Sequence, residues 1–476
     1  MNSNMKIFAN VCIALIAIFF INISGATAGD DGWTMLFNGK DFTGFKQLNG
    51  EATYTVEDGM MVGTTKLKTP NSFMATEKMY GDFILEVELL VDPSMNSGIQ
   101  IRSNSFPEYR DGRVHGYQVE IDPAARAWSG GIYDEARRGW LYPLDLNPKG
   151  RKAFRNGEWN HYRIEAIGNS IRTWVNGVPC SDLIDDMTAE GFIAFQVHGI
   201  GKPEQEGKQI KWKNIRIKTE NLIPSPWTDV VVVNNIPNYL SPQERAQGWR
   251  LLFDGKTTNG WRGAHKDAFP KGGWKVENGE LIVLSQGGAE SQGGGDIVTL
   301  DEYSTFEFQT DFMLTEGANS GIKYFITEKY SSGKSAIGLE FQVLDDEKHP
   351  DAKAGISGNR TIASLYDMIP AHSNKIVKKP GEWNHARIIV TGTRVEEWLR
   401  RNSLEKTEFK GAHVEHWLNS RKVLEYERGT QAFYAIVAGS KYKDWEGFGA
   451  WQSGRILIQE HGDEVHYRSI KVRKID

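Results

Sequence analysis

The feature that most restricts how this chain can fold is a series of short motifs that occurs twice in the same order. Trp33-Thr-Met-Leu-Phe-Asn-Gly-Lys returns as Trp249-Arg-Leu-Leu-Phe-Asp-Gly-Lys, Asn96-Ser97-Gly98-Ile99 as Asn319-Ser320-Gly321-Ile322, and Gly157-Glu158-Trp159-Asn160-His161 as Gly381-Glu382-Trp383-Asn384-His385. Further on, Trp174-Val-Asn-Gly matches Trp417-Leu-Asn-Ser, and Gln196-Val-His198-Gly matches Gln459-Glu-His461-Gly. The offset grows from 249 − 33 = 216 through 223, 224 and 243 to 459 − 196 = 263, as in a duplicated domain whose second copy carries longer loops. Solenoid repeats recur every ~20–50 residues, so each copy here must bury a core of its own. Residues 221–247 hold Pro224, Pro226, Pro237 and Pro242, whose Ile-Pro and Ser-Pro steps disfavour helix, and they read as a linker. The expected domains are 29–220 and 248–476.

Within each copy the apolar period is two. Phe83, Leu85, Val87 and Leu89 share one face of a strand, as do Tyr117, Val119 and Ile121, Ile164 and Ala166, and Ile193, Phe195 and Val197. Such runs, broken by Asp-Gly, Asn-Gly and Pro and lacking a helical stripe, predict an all-β chain with two packed antiparallel sheets in each of two tandem copies, a β-sandwich or jelly roll. A net charge of −5 from 56 basic and 61 acidic side chains gives no field that would recruit nucleic acid or an anionic membrane surface. Two cysteines are too few for a disulfide scaffold or a Cys-rich zinc site. Lys6, the apolar run Ile7 to Ile21 and Ala26-Thr27-Ala28 have the charged start, hydrophobic middle and small-residue cleavage site of a secretory signal over residues 1–28. That run is about 15 residues against the roughly 20 a spanning helix needs, so the expected product is periplasmic or secreted, without a membrane span after cleavage.

Function is expected on the strand faces turned away from the cores. In Gly116-Tyr-Gln-Val-Glu-Ile-Asp122, Gln118, Glu120 and Asp122 share the polar face; in Gly338-Leu-Glu-Phe-Gln-Val-Leu, Glu340 and Gln342 do. Later strands add Gln196 with His198 and Gln459 with His461, while Trp174 and Trp417 lie on a third strand. If those strands are neighbours in one sheet, each copy has a concave surface where rings stack on sugars and polar groups bind hydroxyls. The alternative is a solvated sheet face. Arg102 lies on the polar face of the first copy, and its counterpart is Phe325. The loop Trp128 to Trp140 gathers rings, Tyr133, carboxylates and the pair Arg137-Arg138. Asp345-Asp346-Glu347-Lys348-His349-Pro350-Asp351 reads either as a site for a hard divalent cation or as an acidic surface turn. Jelly-roll glucanases place their two carboxylates as Glu-x-Asp-x-x-Glu; here Glu120-Ile-Asp122 is followed by Ala125 where the second Glu should stand, which disfavours a retaining glucanase. No Gly-x-Ser-x-Gly, His-Glu-x-x-His or phosphate-binding glycine loop is present, and no organic cofactor is expected.

Leu-Phe-Asn-Gly-Lys, Asn-Ser-Gly-Ile, Gly-Tyr-Gln-Val-Glu-Ile-Asp, Gly-Glu-Trp-Asn and Trp-Val-Asn-Gly resemble the 3-keto-disaccharide hydrolase family, as do His349-Pro-Asp-Ala, Leu365-Tyr366-Asp367 and Ile458-Gln-Glu-His-Gly462 in the second copy. The resemblance covers nearly all of the chain outside the linker and the leader. It implies concanavalin-like jelly rolls acting on 3-keto-glycosides, whose substrate a separate sugar-3-oxidoreductase supplies. A ketone at C3 acidifies the C2 proton, so such an enzyme needs a base and an electrophile rather than a nucleophile, with a divalent metal or a cation as the electrophile. The catalytic candidates are Glu340 and His461, or Glu120 and His198 in the first copy. The binding candidates are Gln342, Tyr366, Trp417 and Gln459, with Arg102, Gln118, Tyr133, Arg138, Trp174 and Gln196. His349, Asp345 and His115 are candidate metal ligands. A non-catalytic, lectin-like pair of modules and a conventional glycosidase on unoxidised glycans remain as alternatives.

Overall fold

Alternation of apolar and polar side chains turns into strands throughout the computed structural model, which describes residues 32–288, 292–332, 335–392 and 412–475. The expected signal segment 1–28 lies outside the described residues. Among those described, a nine-stranded and a seven-stranded sheet form the first copy, and an eight-stranded and a five-stranded sheet form the second. The facing sheets close over two separate cores: Phe83, Leu85, Tyr117, Val119 and Ile164 belong to one, Phe308, Leu339, Phe341, Ile388 and Val472 to the other. The chain is two tandem jelly-roll β-sandwiches, and no helix among the described residues is long and apolar enough to cross a membrane.

The smaller sheets repeat one strand order. In the first copy it runs Phe45–Asn49, Ser72–Thr76, Phe192–Val197, Ser97–Asn104, His115–Ile121, and then continues through Ile132–Glu135 to Gly139–Tyr142. In the second it runs Trp261–Gly263, Ile297–Thr299, Arg455–Ile458, Asn319–Ser332, Ser335–Leu344 and stops there. Equivalent contacts prove the residue match. Ser97 Oγ donates to the Gln196 carbonyl at 2.6 Å and Ser320 Oγ to the Gln459 carbonyl at 2.8 Å. Both copies bulge at the same place, where Arg102 and Phe325 adopt φ of 45° and 55°. The Trp-Asn-His and Trp-x-Asn motifs are a latch in the larger sheets: Asn176 Oδ1 accepts from His161 N and Asn419 Oδ1 from His385 N, while each Nδ2 reaches Asn160 or Asn384 at 2.8 Å.

Residues 221–247 are more ordered than a proline-rich strap. Val233–Asn234 adds a strand parallel to Val178–Ile184. The Ser-Pro step read as helix-disfavouring instead starts a helix, Pro242–Ala246, because Ser241-x-x-Glu244 is a capping box and proline at the first helical position needs no N–H partner. Glu244 then accepts from Lys471 Nζ of the second copy at 2.6 Å, with both side chains buried.

Candidate functional site

In the second copy, register brings the polar face of three strands together. Glu340 stands opposite Lys323, Gln342 opposite Gly321, and the backbone N–H of Gln459 donates to the Gly321 carbonyl. Gly321 has no side chain because a Cβ there would collide with the Glu340 carboxylate, so the Asn-Ser-Gly motif is what lets this acid lie across its neighbouring strand. A cavity of about 250 Å³ opens over it, lined among others by Lys323, Glu340, Gln342, Tyr366, Gln459 and His461. Glu340 is 6% exposed. Burial raises its carboxyl above the ordinary glutamate value, with Lys323 and Lys441 pulling the other way. The Gln342 side-chain oxygen, Oε1, is buried without a hydrogen-bond partner, an acceptor available to a ligand hydroxyl.

Lys441, Tyr442 and Trp445 complete the wall of this cavity and escaped the sequence reading. They sit in the loop after helix Gln431–Ala438, which begins at Thr430, whose hydroxyl accepts from Phe433 N. Their signal was the growth in motif offset from 243 to 263 between Trp417 and Gln459, an insertion of 263 − 243 = 20 residues with no counterpart in the first copy. Lys441 Nζ lies 4.2 Å from the Tyr366 ring centre, and loss of water around that ammonium lowers it below the ordinary lysine value although the residue as a whole is exposed. Asp351 accepts from the Tyr366 hydroxyl and from Arg360, each at 2.7 Å, so this member of the acidic loop positions the wall.

The first copy has the same strands with the chemistry exchanged. Gln118 occupies the place of Glu340, Glu120 that of Gln342, and Gln100 that of Lys323. Gln100 and Gln196 both donate to the Gln118 side-chain oxygen, Oε1, at 2.7 and 3.0 Å, Ser103 donates to Gln100, and Gln118 donates to Glu120 at 2.9 Å. These amides bond one another and leave the Gln196 side-chain oxygen without a partner, so most of the face is taken up by its own network. Glu120 is also held by Asn96 at 2.7 Å, and burial lifts its pKa to about 7 against these hydrogen bonds. His198 lies apart from it in a shallow cleft with Asp122 and Asn96.

His349, His461 and Asp463 bring ligand atoms within 4.8 Å of one another. Asp351 N donates to His349 Nδ1, which turns the other ring nitrogen outward. His461 Nδ1 is buried without a hydrogen bond, its nearest carboxylate oxygen, on Asp463, being 3.9 Å away. Two imidazoles and a carboxylate with an unsatisfied ring nitrogen fit a divalent transition ion. By the motif offset Ile200 replaces Asp463 in the first copy (463 − 263 = 200), so this set belongs to the second copy alone. Asp345 is not part of it. Its oxygens cap the turn by accepting from the N–H groups of Gly317, Glu347 and Lys348. His115 packs against Tyr109 and Phe106 at the far end of its strand, with Nδ1 on the Arg113 carbonyl.

The remaining candidates lie elsewhere. Arg102 is 1% exposed and spends its guanidinium on the Gly81 and Gly168 carbonyls and on Asp82, so it braces a bulge. The tryptophans correct the one-sheet expectation: Trp174 and Trp417 belong to the larger sheets, paired with Arg163 and Arg387, and cannot cover Glu120 or Glu340. Trp417 instead meets Tyr133 and Arg138 of the other copy across a cleft of about 510 Å³ between the two sandwiches.

A sequence model of the 3-keto-alpha-glucoside-1,2-lyase-like domain matches residues 32–218 and 248–473. A 3-keto-disaccharide hydrolase of Bacteroides thetaiotaomicron is 36% identical over 252 residues, covering 48% of this chain and 80% of its own. Among solved structures, a candidate glycosyl hydrolase from Parabacteroides distasonis is 26% identical with a TM-score of 0.41, covering 50% of this chain and all (100%) of its own. A galectin-like protein from Bacillus subtilis is 11% identical with a TM-score of 0.31, covering 39% of this chain and 94% of its own.

Proposed function

The chain belongs to the 3-keto-alpha-glucoside-1,2-lyase-like family, and we propose that its second copy cleaves the glycosidic bond of 3-keto-glycosides with Glu340 as the base. The observation that carries this reading is the exchange between copies: the buried Glu340 carboxylate opposite Lys323 in one, and the amides Gln118 and Gln100 at those positions in the other, which also lacks the insertion that brings Lys441. Glu340 removes the C2 proton, and the C–H electron pair becomes the enolate of the C3 ketone. Lys323 and Lys441 offset the charge that develops on its oxygen. The enolate collapses to a C1–C2 double bond conjugated with the ketone, the C1–O bond breaks, and the departing oxygen receives the proton that Glu340 took. Water added across that double bond, hydroxyl to C1 and hydrogen to C2, completes hydrolysis. Gln342 and Gln459 face the same cavity and bind the sugar hydroxyls. His349, His461 and Asp463 would hold a divalent ion, which when bound supplies Lewis acidity towards the substrate carbonyl. The reading extends to an exported protein fed by a sugar-3-oxidoreductase.

The test compares aglycone release from an α-glucoside and from its 3-keto derivative, with and without chelator. Release from the 3-keto sugar alone is expected, and chelator is expected to slow it. Equal rates on the unoxidised sugar would mean a conventional glycosidase. Glu340→Gln is expected to lower kcat by about 10²–10⁴-fold, the range of a lost general base, and Glu120→Gln to leave it near wild type. Turnover unchanged by both substitutions would favour a binding-module pair.

A further inference from the structure

We propose that the cleft between the two sandwiches is a second saccharide site, one that takes an uncharged oligosaccharide. The cleft measures about 510 Å³, within the range of small-ligand sites and twice the size of the Glu340 cavity. Its walls come from both copies. Tyr133 and Trp140 face it from the two edge strands that the smaller sheet of the second copy lacks, and Trp417 faces it from the larger sheet of that second copy. The Tyr133 and Trp140 rings meet edge to face with centroids 5.1 Å apart, and both residues are only partly buried. Among the described residues, neither the Tyr133 hydroxyl nor the Trp140 indole N–H has a hydrogen-bond partner in the protein, which leaves two donors on rings that line the cleft.

Two cations of the cleft are already compensated, while the exposed Lys378 also lines it. Arg138 is paired with Asp134 and Asp185, and Arg387 with Glu307. A phosphate or carboxylate would therefore gain little from either cation, whereas apolar rings beside fixed polar groups suit the C–H faces and hydroxyls of a neutral sugar. The geometry is set in advance by the linker: Asn235 Nδ2 donates to Asp185 at 2.9 Å, and the Tyr142 hydroxyl to the Val231 carbonyl at 2.7 Å. A preformed cleft loses little to ordering when it binds. The proposal rests on the carbohydrate part of the function given above and not on its 3-keto part.

Maltotriose, a neutral α-glucan, is the probe, titrated into the full chain and followed by calorimetry and tryptophan fluorescence. Saturable binding with a fluorescence change is expected. Glu340→Gln is expected to bind it as wild type does, and Trp140→Ala to bind it about tenfold more weakly, equivalent to ~1.4 kcal/mol. Trp140→Phe, which keeps a ring, is expected to recover part of the affinity, and thermal melts show that each variant folds. No binding at probe concentrations on the order of 10 mM, weaker than any useful site, overturns the proposal. So does binding that Glu340→Gln weakens and Trp140→Ala leaves intact, because the sugar would then occupy the Glu340 cavity. Turnover of the 3-keto substrate is measured separately, so loss of the cleft site and loss of the catalytic reading are distinguishable.

Discussion

Single side chains distinguish the two copies. Glu120 and Glu340 are both buried glutamates on the same sheet face, yet one is enclosed by the Asn96 and Gln118 amides and by Arg126 and the other opens on a cavity with lysines. Enclosure has a thermodynamic signature. Burial pushes the Glu120 carboxyl up from the ordinary glutamate value of 4.5 to about 7, so between those values the folded chain holds a proton that the unfolded chain has released. Stability then falls as pH rises, by about 1.4 kcal/mol per unit at most, and the loss is complete above pH ~7. His416, buried against the Tyr324 hydroxyl and lowered to about 4, has the opposite slope between 4 and its ordinary 6.5. The difference between proteins isolates Glu120: in melts from pH 4.5 to 7.5, Glu120→Gln is expected to gain stability relative to wild type as pH rises. A gap that does not change with pH would show that Glu120 is ionised in the folded chain.

At the scale of strands and turns, glycines and asparagines in the motifs act on backbone and register. Gly321→Ala would push the Glu340 carboxylate off its strand and crowd the Gln459 side-chain oxygen 3.2 Å from the added Cβ, and misplacement by an ångström costs activity on the order of 10²-fold. Steady-state kinetics with a melting curve would check this, and full activity would mean that Glu340 does not need its present position. The Asn-Gly turn of the first copy has Gly177 at φ 78°, whereas the second copy puts Ser420 at φ 66°. L residues pay for that left-handed conformation and glycine does not, so Ser420→Gly is expected to stabilise by about 0.5–1 kcal/mol, raising the melting temperature of the second copy by about 2 °C.

At the scale of the molecule, the linker is the joint that sets the cleft. Glu244 caps its helix and neutralises Lys471 of the second copy in a pair that is 1% and 5% exposed at the side chains. Removing one partner of a buried pair leaves an uncompensated charge, so Glu244→Ala is expected to destabilise by about 3–5 kcal/mol and to separate the unfolding of the two copies in calorimetry. A melt identical to wild type would show that the pair is solvated.

Much of this was legible in one sequence because local periodicity is a local property. Period-two runs such as Tyr117, Val119 and Ile121 place side chains on faces without reference to the rest of the chain, and the ordered motifs made the duplication and the resemblance visible. They also made Glu340, Gln342, Gln459 and His461 candidates for one surface, and these four line one cavity. Strand neighbours are a non-local property, and there the sequence was silent. It could not tell that Trp174 and Trp417 belong to the opposite sheets, that Arg102 is spent on a bulge, or that Tyr133 and Trp417, nearly 300 residues apart (417 − 133 = 284), face each other. Lys323 was visible on its strand, but a lysine on a polar face signals nothing until its partner is known. Lys441 came with an insertion that has no repeat to announce it. The sequence by itself determined two sandwiches and their polar faces, since alternation at each strand decides what is buried. Only the tertiary structure decided which face is open, which is largely taken up by its own amides, and where the two copies meet, since those depend on pairing between distant segments.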